Sequence, residues 1–439
     1  MKMNKLRMIA AGACSLVLFI GCIRAADDST AAASTPAAEL TKIKVGCIGI
    51  TCEAPLYVAI ENGYFKEEGL DVSLIKYSNW STYKDALGLG GFDVTHHLIM
   101  MFLKPIEQGM DVKILAGVHR GCLRVQASTS GSVQKLEDLR GKRIGVPGMG
   151  TPPFIFANRA LALKGIDPSK EITWKVYPAG ELKLALEKGD VDAVADSEPI
   201  GTLIFSSGNV RNVADQAVDE PFASEYCCAV VANGKFVANN PKAAAAATRA
   251  ILKAAKWVEA NPRAAAIMAV QKKYLASTPE INSVAISHLR YEPSIAGGEN
   301  AVRSAAAAMK KVNMLNASTD VDDLTRRAFL HLDGVSDEWL KSVQVEKLAD
   351  GQLLPDENAR LLVEIAAHGT EKVRSCCDVA VATVEAHPQH IASEVFSSTD
   401  HRLVVISKWR GSEPEAFGTP PEHLVSRKPQ WWDFAQVDR

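Results

Sequence analysis

The chain lacks an excess of either charge, because 49 Lys and Arg residues stand against 51 Asp and Glu residues. This balance gives no basis for binding nucleic acid or an anionic surface. The apolar run near the N-terminus, from Met8 to Ile20, is shorter than the roughly 20 residues that a membrane-spanning helix needs. No internal repeat of solenoid period is visible. A chain of 439 residues exceeds one ordinary domain, so we expect two or three compact units.

Metal-binding and nucleotide-binding motifs are also missing. No CxxC or HxxxH spacing occurs, and no GxxxxGK[ST] phosphate loop is present. The nine cysteines show no regular disulfide framework. Two pairs are adjacent in sequence, Cys227-Cys228 and Cys376-Cys377, and a bond between neighbours is strained, so we expect one thiol of each pair to face inward and the other outward. We predict neither a metal nor a cofactor.

The N-terminus has the pattern of an export signal. Three basic residues precede the apolar run, and a small residue then precedes Cys22. The stretch FIGC is typical of a lipobox, with Phe19 where leucine is usual, and it predicts lipidation of Cys22. Cleavage near Ala25-Ala26 is the alternative and leads to the same compartment. We therefore expect a signal peptide at 1–22, a flexible tether at 23–41, and an extracytoplasmic protein, periplasmic or at the cell surface, anchored to the membrane by lipid.

From residue 42 onward, strand patterns alternate with helix patterns. The segment KIKVGCIGI (42–50) reads as a buried strand, and PLYVAIENG (55–63) as an amphipathic helix with a glycine stop. Further strands are expected at 72–77, 92–95 and 108–117, and a helix is expected to start near Pro152. Such alternation predicts an α/β protein with parallel sheets.

Three stretches carry a resemblance to a known family. They are PLYVAIENGYFKEEGLDV (55–72), LEDLRGKRIGVP (136–147) and the helix and strand that run from Leu182 to Ala195. They resemble the substrate-binding proteins of ABC importers for nitrate, sulfonates, taurine, bicarbonate and thiamine precursors. The resemblance implies the two-lobed periplasmic-binding-protein type II fold over 42–347. Lobe 1 is then expected at about 42–127 and 229–347, lobe 2 at about 131–225, and the crossovers near 127–131 and 224–228.

The implied function is capture of a small solute by lobe closure and its delivery to an ABC permease, with the ATPase on a separate chain. Closure can be driven only by contacts made in the closed state. A protein with this implied function is not an enzyme, and we expect none of the chain's residues to be catalytic. Two alternatives stay open: an enzyme, either pyrimidine-synthase-like or an oxygenase of the tail, and a signalling receptor.

Candidate ligand-binding residues follow from the rule that ligands of open parallel sheets bind beyond the carboxyl ends of the strands. The predicted set, with residues beside the second crossover, is Thr51, Cys52, Glu53, His96, His97, His119, Cys122, Gly150, Thr151, Phe154, Asp196, Glu198, Tyr226 and Cys227.

The chemistry of these residues leaves several roles open. Gly150-Thr151 before a helix suits an anion or plain capping, and His96 or His97 could donate to an oxyanion or cap a helix. Cys52 and the His119/Cys122 loop could form a soft metal site, although buried unpaired cysteine is commoner. The predicted acidic residues suit a cationic group or are simply solvated. Near the presumed site, the basic residues are Arg120 and Arg124, so a simple multiply charged anion is not favoured as the ligand.

The tail, 355–439, changes character. Strands are expected at 361–366, 391–397 and 402–409, with helices at 369–385 and 413–426. This order suggests a ferredoxin-like unit, and LVVISKWRGSEPEAF (403–417) resembles the antibiotic-biosynthesis monooxygenase-like domains. Their final strand is absent here or reduced to 431–437. The resemblance implies a possible dimer through this extension, without an assigned reaction.

Overall fold

The computed structural model describes residues 40–348 in full and, beyond them, the backbone of four strands. The predicted signal peptide, Cys22 and nearly all of the predicted tether lie outside the described residues. Fourteen strands are described. They are β1 (Thr41–Cys47), β2 (Leu70–Lys76), β3 (Val94–Leu98), β4 (Val112–Arg120), β5 (Leu123–Ser128), β6 (Arg143–Val146), β7 (Thr173–Val176), β8 (Ala193–Ser197), β9 (Val210–Asp215), β10 (Tyr226–Asn233), β11 (Arg360–Ala366), β12 (His390–Ser397), β13 (Arg402–Trp409) and β14 (Gln430–Asp433).

Helices pack on the two sheets that are formed within residues 40–348. The predicted helix start at Pro152 is confirmed. The helices of the described residues are α1 (Ala54–Glu61), α2 (Tyr64–Glu67), α3 (Trp80–Leu89), α4 (Met100–Glu107), α5 (Pro152–Leu163), α6 (Pro168–Glu171), α7 (Leu182–Glu187), α8 (Ile200–Phe205), α9 (Gly234–Asn239), α10 (Pro241–Ala260), α11 (Pro262–Gln271), α12 (Pro279–Ser287), α13 (Ile295–Lys311), α14 (Val321–Ala328) and α15 (Asp337–Ser342). None of them is long and apolar enough to cross a membrane.

The first lobe is built on a five-stranded mixed sheet in the order β2-β1-β3-β10-β4. Strand β1 pairs in parallel with β2 and β3, whereas β10 runs antiparallel to β3 and β4. The alanine-rich helix α10 packs on α1, and α13 packs on β4. Close approach at the second contact requires glycine, because a Cβ on Gly298 would lie 2.2 Å from the backbone nitrogen of Gly117.

The second lobe has its own five-stranded sheet, ordered β7-β6-β8-β5-β9. Strand β6 is parallel to β7 and β8, and β5 runs antiparallel to β8 and β9. Because β5 belongs to this sheet, the chain first crosses between lobes at Gly121-Cys122, earlier than the expected 127–131. It returns between Asp215 and Tyr226. Two lobes joined by two crossovers are the architecture of the predicted periplasmic-binding-protein type II fold.

The last four strands form one antiparallel sheet, ordered β12-β13-β11-β14. The strands expected at 361–366, 391–397 and 402–409 coincide with β11, β12 and β13 within a residue. The helices expected at 369–385 and 413–426 lie outside the described residues. The ferredoxin-like and monooxygenase-like character of this extension therefore stays a prediction.

Candidate solute-binding cleft

A pocket of about 370 Å³ opens between the two lobes, a size in the usual range for small-molecule sites. We call it the cleft pocket. Helices α3, α4 and α13 supply the wall from the first lobe, and the loop after β6 with the start of α5 supplies the wall from the second lobe. Its lining residues are Asn79, Trp80, Ser81, Lys84, Met100, Met101, Lys104, Pro105, Gln108, Pro147, Gly148, Met149, Gly150, Thr151, Phe154, Ile155, Met309 and Met314.

Among the described residues that line the pocket, most are apolar and the charged ones are two lysines. Five methionines and two aromatic residues contribute flexible, polarizable surface. Lys84 is ion-paired with Asp85 at 3.2 Å, and Lys104 is paired with Glu107. Neither acidic partner lines the pocket, so the charge presented to a bound molecule is positive.

Three helices begin at the cleft pocket. Helix α3 starts at Trp80 and is capped by Asn79, whose side chain accepts from the N–H groups of Ser81 and Thr82 at 2.9 and 3.2 Å. Helices α4 and α5 start at lining residues or beside them. A helix N-terminus carries partial positive charge, so all three favour an anionic group in the pocket.

The predicted residues Gly150, Thr151 and Phe154 line this pocket. The Thr151 hydroxyl donates to the Gly148 carbonyl at 2.6 Å, and so closes the turn before α5. Pro152 and Pro153 lack N–H groups, so this helix start offers fewer donors than the sequence pattern alone suggests. Its contribution to anion binding comes chiefly from the dipole.

The other predicted residues lie outside the cleft pocket, and all but one are buried. They come from strand ends and crossovers, where the N–H of Thr51 donates to the Glu198 carbonyl of the other lobe at 3.3 Å. The buried members of this set are Thr51, Cys52, Glu53, His96, His97, His119, Cys122, Asp196, Glu198 and Cys227. The exception is the half-buried Tyr226.

Glu53 organises the loop that follows β1. Its carboxylate accepts from the N–H groups of Ile48, Gly49 and Ile50 at 2.8 to 3.2 Å, and from the Tyr57 hydroxyl at 2.8 Å. Burial nevertheless outweighs these bonds and raises the pKa of Glu53 to about 7. Because its oxygens are engaged by the loop itself, Glu53 shapes the site from within the first lobe.

The end of β8 carries two further buried carboxyl groups. Glu198 forms a buried ion pair with Arg124 at 2.9 Å, and its other oxygen accepts from the Thr202 N–H at 2.8 Å. Asp196 accepts from the Ser197 N–H at 2.7 Å through Oδ1, whereas Oδ2 has no hydrogen-bond partner among the described residues. Burial raises the pKa of both carboxyl groups to about 7. Such perturbed groups are typical of functional sites.

His96 and His97 lie within β3 rather than after it, because the strand continues to Leu98. The ring nitrogens of both histidines lack hydrogen-bond partners within residues 40–348. His97 packs among Trp80, Tyr83 and Phe102 with ring centroids 4.7 to 5.5 Å apart, and burial lowers its pKa to about 3. His96 faces His119 at 5.1 Å, and burial lowers its pKa as well. Both rings are therefore neutral near pH 7.

Tyr226 stands at the return crossover. Its hydroxyl donates to the Glu292 carbonyl at 2.5 Å, and its ring lies 4.9 Å from the Arg120 guanidinium. The ring also packs so closely on Gly297 that a Cβ there would lie 2.4 Å from it. All of these partners of Tyr226 lie in the first lobe.

Cysteine and histidine side chains gather where the crossovers leave the first sheet. We call Cys52, His119, Cys122, Cys227 and Cys228 the thiol–imidazole cluster; every member is buried. The expectation that one of the two adjacent cysteines faces outward is wrong. Irregular pairing of β10 with β4 on either side of Cys228 turns both thiols inward, 3.9 Å apart.

Sequence reasoning missed most of the cleft pocket. Trp80, Lys84 and Lys104 lie on helices rather than at strand ends, and Met309 and Met314 come from a distant part of the chain. A usable signal was present in the polar N-cap Asn79 directly before a tryptophan. The adjacent methionines Met100 and Met101 were a second signal.

Comparisons with known proteins agree with this architecture. A model of the NMT1-like family matches residues 36–271, more than half of the chain. The nitrate/nitrite binding protein NrtA of Nostoc sp. is 24% identical over 254 residues, covering 53% of this chain and 57% of that protein. The 4-amino-5-hydroxymethyl-2-methylpyrimidine phosphate synthase of Aspergillus parasiticus is 26% identical, covering 52% of this chain and 68% of that enzyme. The chain thus spans little more than half the length of the Nostoc relative.

Solved structures show the same fold at low identity. The periplasmic nitrate-binding protein NrtA of Synechocystis PCC 6803 superposes with a TM-score of 0.55 at 18% identity, covering 66% of this chain and 86% of that one. The alkanesulfonate-binding protein SsuA of Xanthomonas axonopodis, bound to MOPS, gives 0.56 at 17% identity, covering 67% and 100%. By its sequence match and its two-lobed architecture, the chain belongs to the NMT1-like family and has the periplasmic-binding-protein type II fold.

Proposed function

We propose that this protein is the extracytoplasmic solute-binding component of an ABC importer. The main support for this proposal is the cleft pocket, whose walls come from two lobes. Each lobe has its own sheet, and two crossovers join the lobes. A solute that contacts both walls favours the closed arrangement, because only that arrangement provides both sets of contacts. The closed, loaded form is the one presented to a permease, and a separate chain supplies the ATPase.

The lining of the cleft pocket favours capture over catalysis. Within residues 40–348, its titratable side chains are Lys84 and Lys104, and no carboxylate, cysteine or histidine joins them. General acid–base or nucleophilic chemistry normally places such groups within reach of the bound molecule. Apolar surface with a few polar anchors is what a binding site needs.

The same lining favours a small organic anion as the solute. Three helix starts and two lysines supply positive potential, and the methionines with Trp80 and Phe154 accept an apolar body. The relatives named for nitrate and alkanesulfonate binding also take anions. The buried carboxyl groups, which suggested a cationic partner, do not line this pocket.

A second candidate is an enzyme acting on a small molecule. The observation in its favour is the group of relatives named as pyrimidine phosphate synthases, at 25 to 27% identity. In that case the buried histidines and thiols, rather than the cleft pocket, would carry the reaction. Lipid anchoring through Cys22 and dimerisation through 355–439 are parts of the proposal that apply to either candidate.

A thermal-shift screen of the full chain tests the proposal. Alkanesulfonates including MOPS, nitrate, bicarbonate, thiamine precursors and amines are each compared with buffer. A ligand at a hundred times its dissociation constant adds about 2.7 kcal/mol to the free energy of unfolding, which raises the transition visibly. We expect organic anions to stabilise the protein, and mass spectrometry to recover them unchanged. Turnover of a hit, or stabilisation by amines alone, contradicts the proposal.

A further inference from the structure

The thiol–imidazole cluster is separate from the cleft pocket, since none of its members lines that pocket. Its four thiols form a ring in which each sulfur contacts two others: Cys52 meets Cys122 and Cys228, and Cys227 meets the same two. All four are free thiols in this structure. A ring of buried sulfur atoms beside an imidazole is a donor set for a soft or borderline metal ion.

His119 is oriented as metal-binding histidines usually are. Its Nδ1 lies 3.3 Å from the Arg120 carbonyl oxygen, which selects the tautomer with the proton on Nδ1. The lone pair is then on Nε2, which is fully buried and lacks a hydrogen-bond partner among the described residues. A buried nitrogen without a partner is costly, so the arrangement calls for a ligand at that atom.

We propose that Cys52, His119 and Cys228 bind a borderline-soft divalent metal ion, with Zn²⁺ as the best match. One sulfur of each cysteine and one nitrogen of the imidazole all lie within 4.8 Å of one another. Ligand atoms around tetrahedral zinc, at about 2.0 to 2.3 Å from the ion, are themselves about 3.5 to 3.8 Å apart. Moving each ligand atom inward by less than about 1 Å completes this geometry.

Charge balance selects a divalent ion. Two thiolates and a neutral imidazole carry a charge of −2, so Zn²⁺ leaves the buried site neutral, whereas Cu⁺ leaves a net negative charge. On binding, the two S–H bonds release their protons to solvent and two metal–sulfur bonds form, with no change of oxidation state. Cys122 contacts Cys52 but is not one of the three residues whose ligand atoms lie within 4.8 Å of one another.

The ion belongs to one lobe. Cys52 lies in the loop after β1, His119 at the end of β4, and Cys228 in β10, and all three segments belong to the first lobe. Opening the cleft therefore leaves all three ligands together. The metal is then a resident ion that fastens the loop after β1 to the sheet, and solute exchange does not release it.

Metal titration of the full chain tests this inference. After removal of metal by a chelator under reducing conditions, Co²⁺ is added as a spectroscopic probe and then displaced by Zn²⁺. We expect one equivalent of Co²⁺ to bind, with a thiolate-to-cobalt charge-transfer band and tetrahedral d–d bands, and one equivalent of Zn²⁺ to abolish both. Cys52→Ala and Cys228→Ala are expected to lose these bands. Cys47→Ala is the matched control, because Cys47 is an equally buried free thiol outside the cluster.

Several outcomes overturn the inference. Wild-type protein that binds no Co²⁺, or binding that survives both Cys52→Ala and Cys228→Ala, places no metal at the cluster; survival would point to Cys376-Cys377. If a cluster variant fails to fold, the wild-type spectrum and the Cys47→Ala control still decide whether a thiolate site exists. His119→Gln then distinguishes a mixed sulfur–nitrogen site from a purely sulfur one through a shift of the d–d bands. Solute binding is measured separately, so failure here leaves the proposed function standing.

Discussion

The cleft pocket and the thiol–imidazole cluster lie in the same domain, yet they are built in opposite ways. The pocket has walls from two lobes, is open, and presents apolar surface with positive potential. The cluster takes its side chains from the first lobe and its crossovers, is closed to solvent, and contains one buried nitrogen, His119 Nε2, without a hydrogen-bond partner among the described residues. A site shared by two lobes changes when they move, whereas a site within one lobe does not. If both proposals hold, solute is exchanged at the open pocket and a metal ion is held permanently at the closed cluster.

The largest effect is expected on the buried side, at Glu53. Glu53→Ala leaves three backbone N–H groups and the Tyr57 hydroxyl without their acceptor, so the free energy of unfolding should fall by about 3 kcal/mol or more. Urea denaturation measures the loss. The control is Glu67→Ala, whose half-exposed carboxylate pairs with Lys253 and should cost less than about 0.5 kcal/mol. Equal losses in the two variants would remove the distinction between buried and open regions.

A pH-dependent effect is expected at Asp196. Its folded-state pKa of about 7 exceeds the ordinary value of 3.8, so the carboxyl contributes stability below pH 3.8 that is lost as the pH rises to 7. Burial is the main cause, and repulsion from Cys122 and Glu198 adds to it. Asp196→Asn cannot ionise, so its advantage over wild type should grow by about 2 to 3 kcal/mol between pH 4.5 and pH 7.5.

Denaturation of both proteins at several pH values checks this prediction. Ser197→Ala is a useful companion, because it keeps the titrating carboxyl and the Ser197 N–H bond at 2.7 Å, and removes only the long contact from the hydroxyl at 3.5 Å. Its stability should follow the wild-type pH dependence. An Asp196→Asn curve parallel to that of wild type would mean that Asp196 is already ionised at low pH, and that the end of β8 is more hydrated than its burial indicates.

The next effect concerns the open side. Met149 lines the cleft pocket and is 58% exposed, so Met149→Asp adds a negative charge to the wall of the pocket without disturbing the core. We expect the dissociation constant for an anionic solute to rise at least about tenfold, which is about 1.4 kcal/mol of binding free energy. The melting temperature of the free protein should not change. Leu163→Asp is the matched control, because Leu163 is 60% exposed at the far end of α5 and outside the pocket. Calorimetric titration of both variants decides; equal weakening would show that the wall of the pocket at Met149 does not contact the solute.

The smallest effect is expected at Lys84. Replacing this lysine with Gln removes one positive charge from the pocket and should weaken anion binding about threefold at low salt. The difference from wild type should shrink in 0.5 M salt, because screening weakens the interaction of charges that are open to solvent. Lys164 is also an ion-paired lysine but lies outside the pocket, so Lys164→Gln should show no such loss. A salt-independent loss at Lys84 would indicate a contact of another kind.

The sequence predicted the fold well, because its signals are local. The glycine stop after α1, the proline start of α5 and the alternation of strands with helices are all read within a few residues. The first crossover was placed too late, because β5 looks like a continuation of the first lobe until its pairing with β8 is known. Which sheet a strand joins depends on partners some 70 residues away.

The site was harder to predict than the fold. The strand-end rule located the buried residues and one part of the open pocket, within residues 150–154. It missed the rest of the pocket, which is built from helix starts and from Met309 and Met314. It also omitted Cys228, because regular strand alternation would turn that thiol away from Cys227. The irregular pairing of β10 is a tertiary feature, and no spacing in the sequence signals it.

Small-angle X-ray scattering of the full chain, with and without the solute that gives the strongest thermal shift, shows whether the two lobes close on a solute. We expect solute to reduce the radius of gyration of wild type. At a solute concentration near the wild-type dissociation constant, the reduction should be much smaller for Met149→Asp, because a tenfold weaker binder is then mostly unloaded. Identical scattering curves for free and fully loaded wild-type protein would contradict capture by lobe closure.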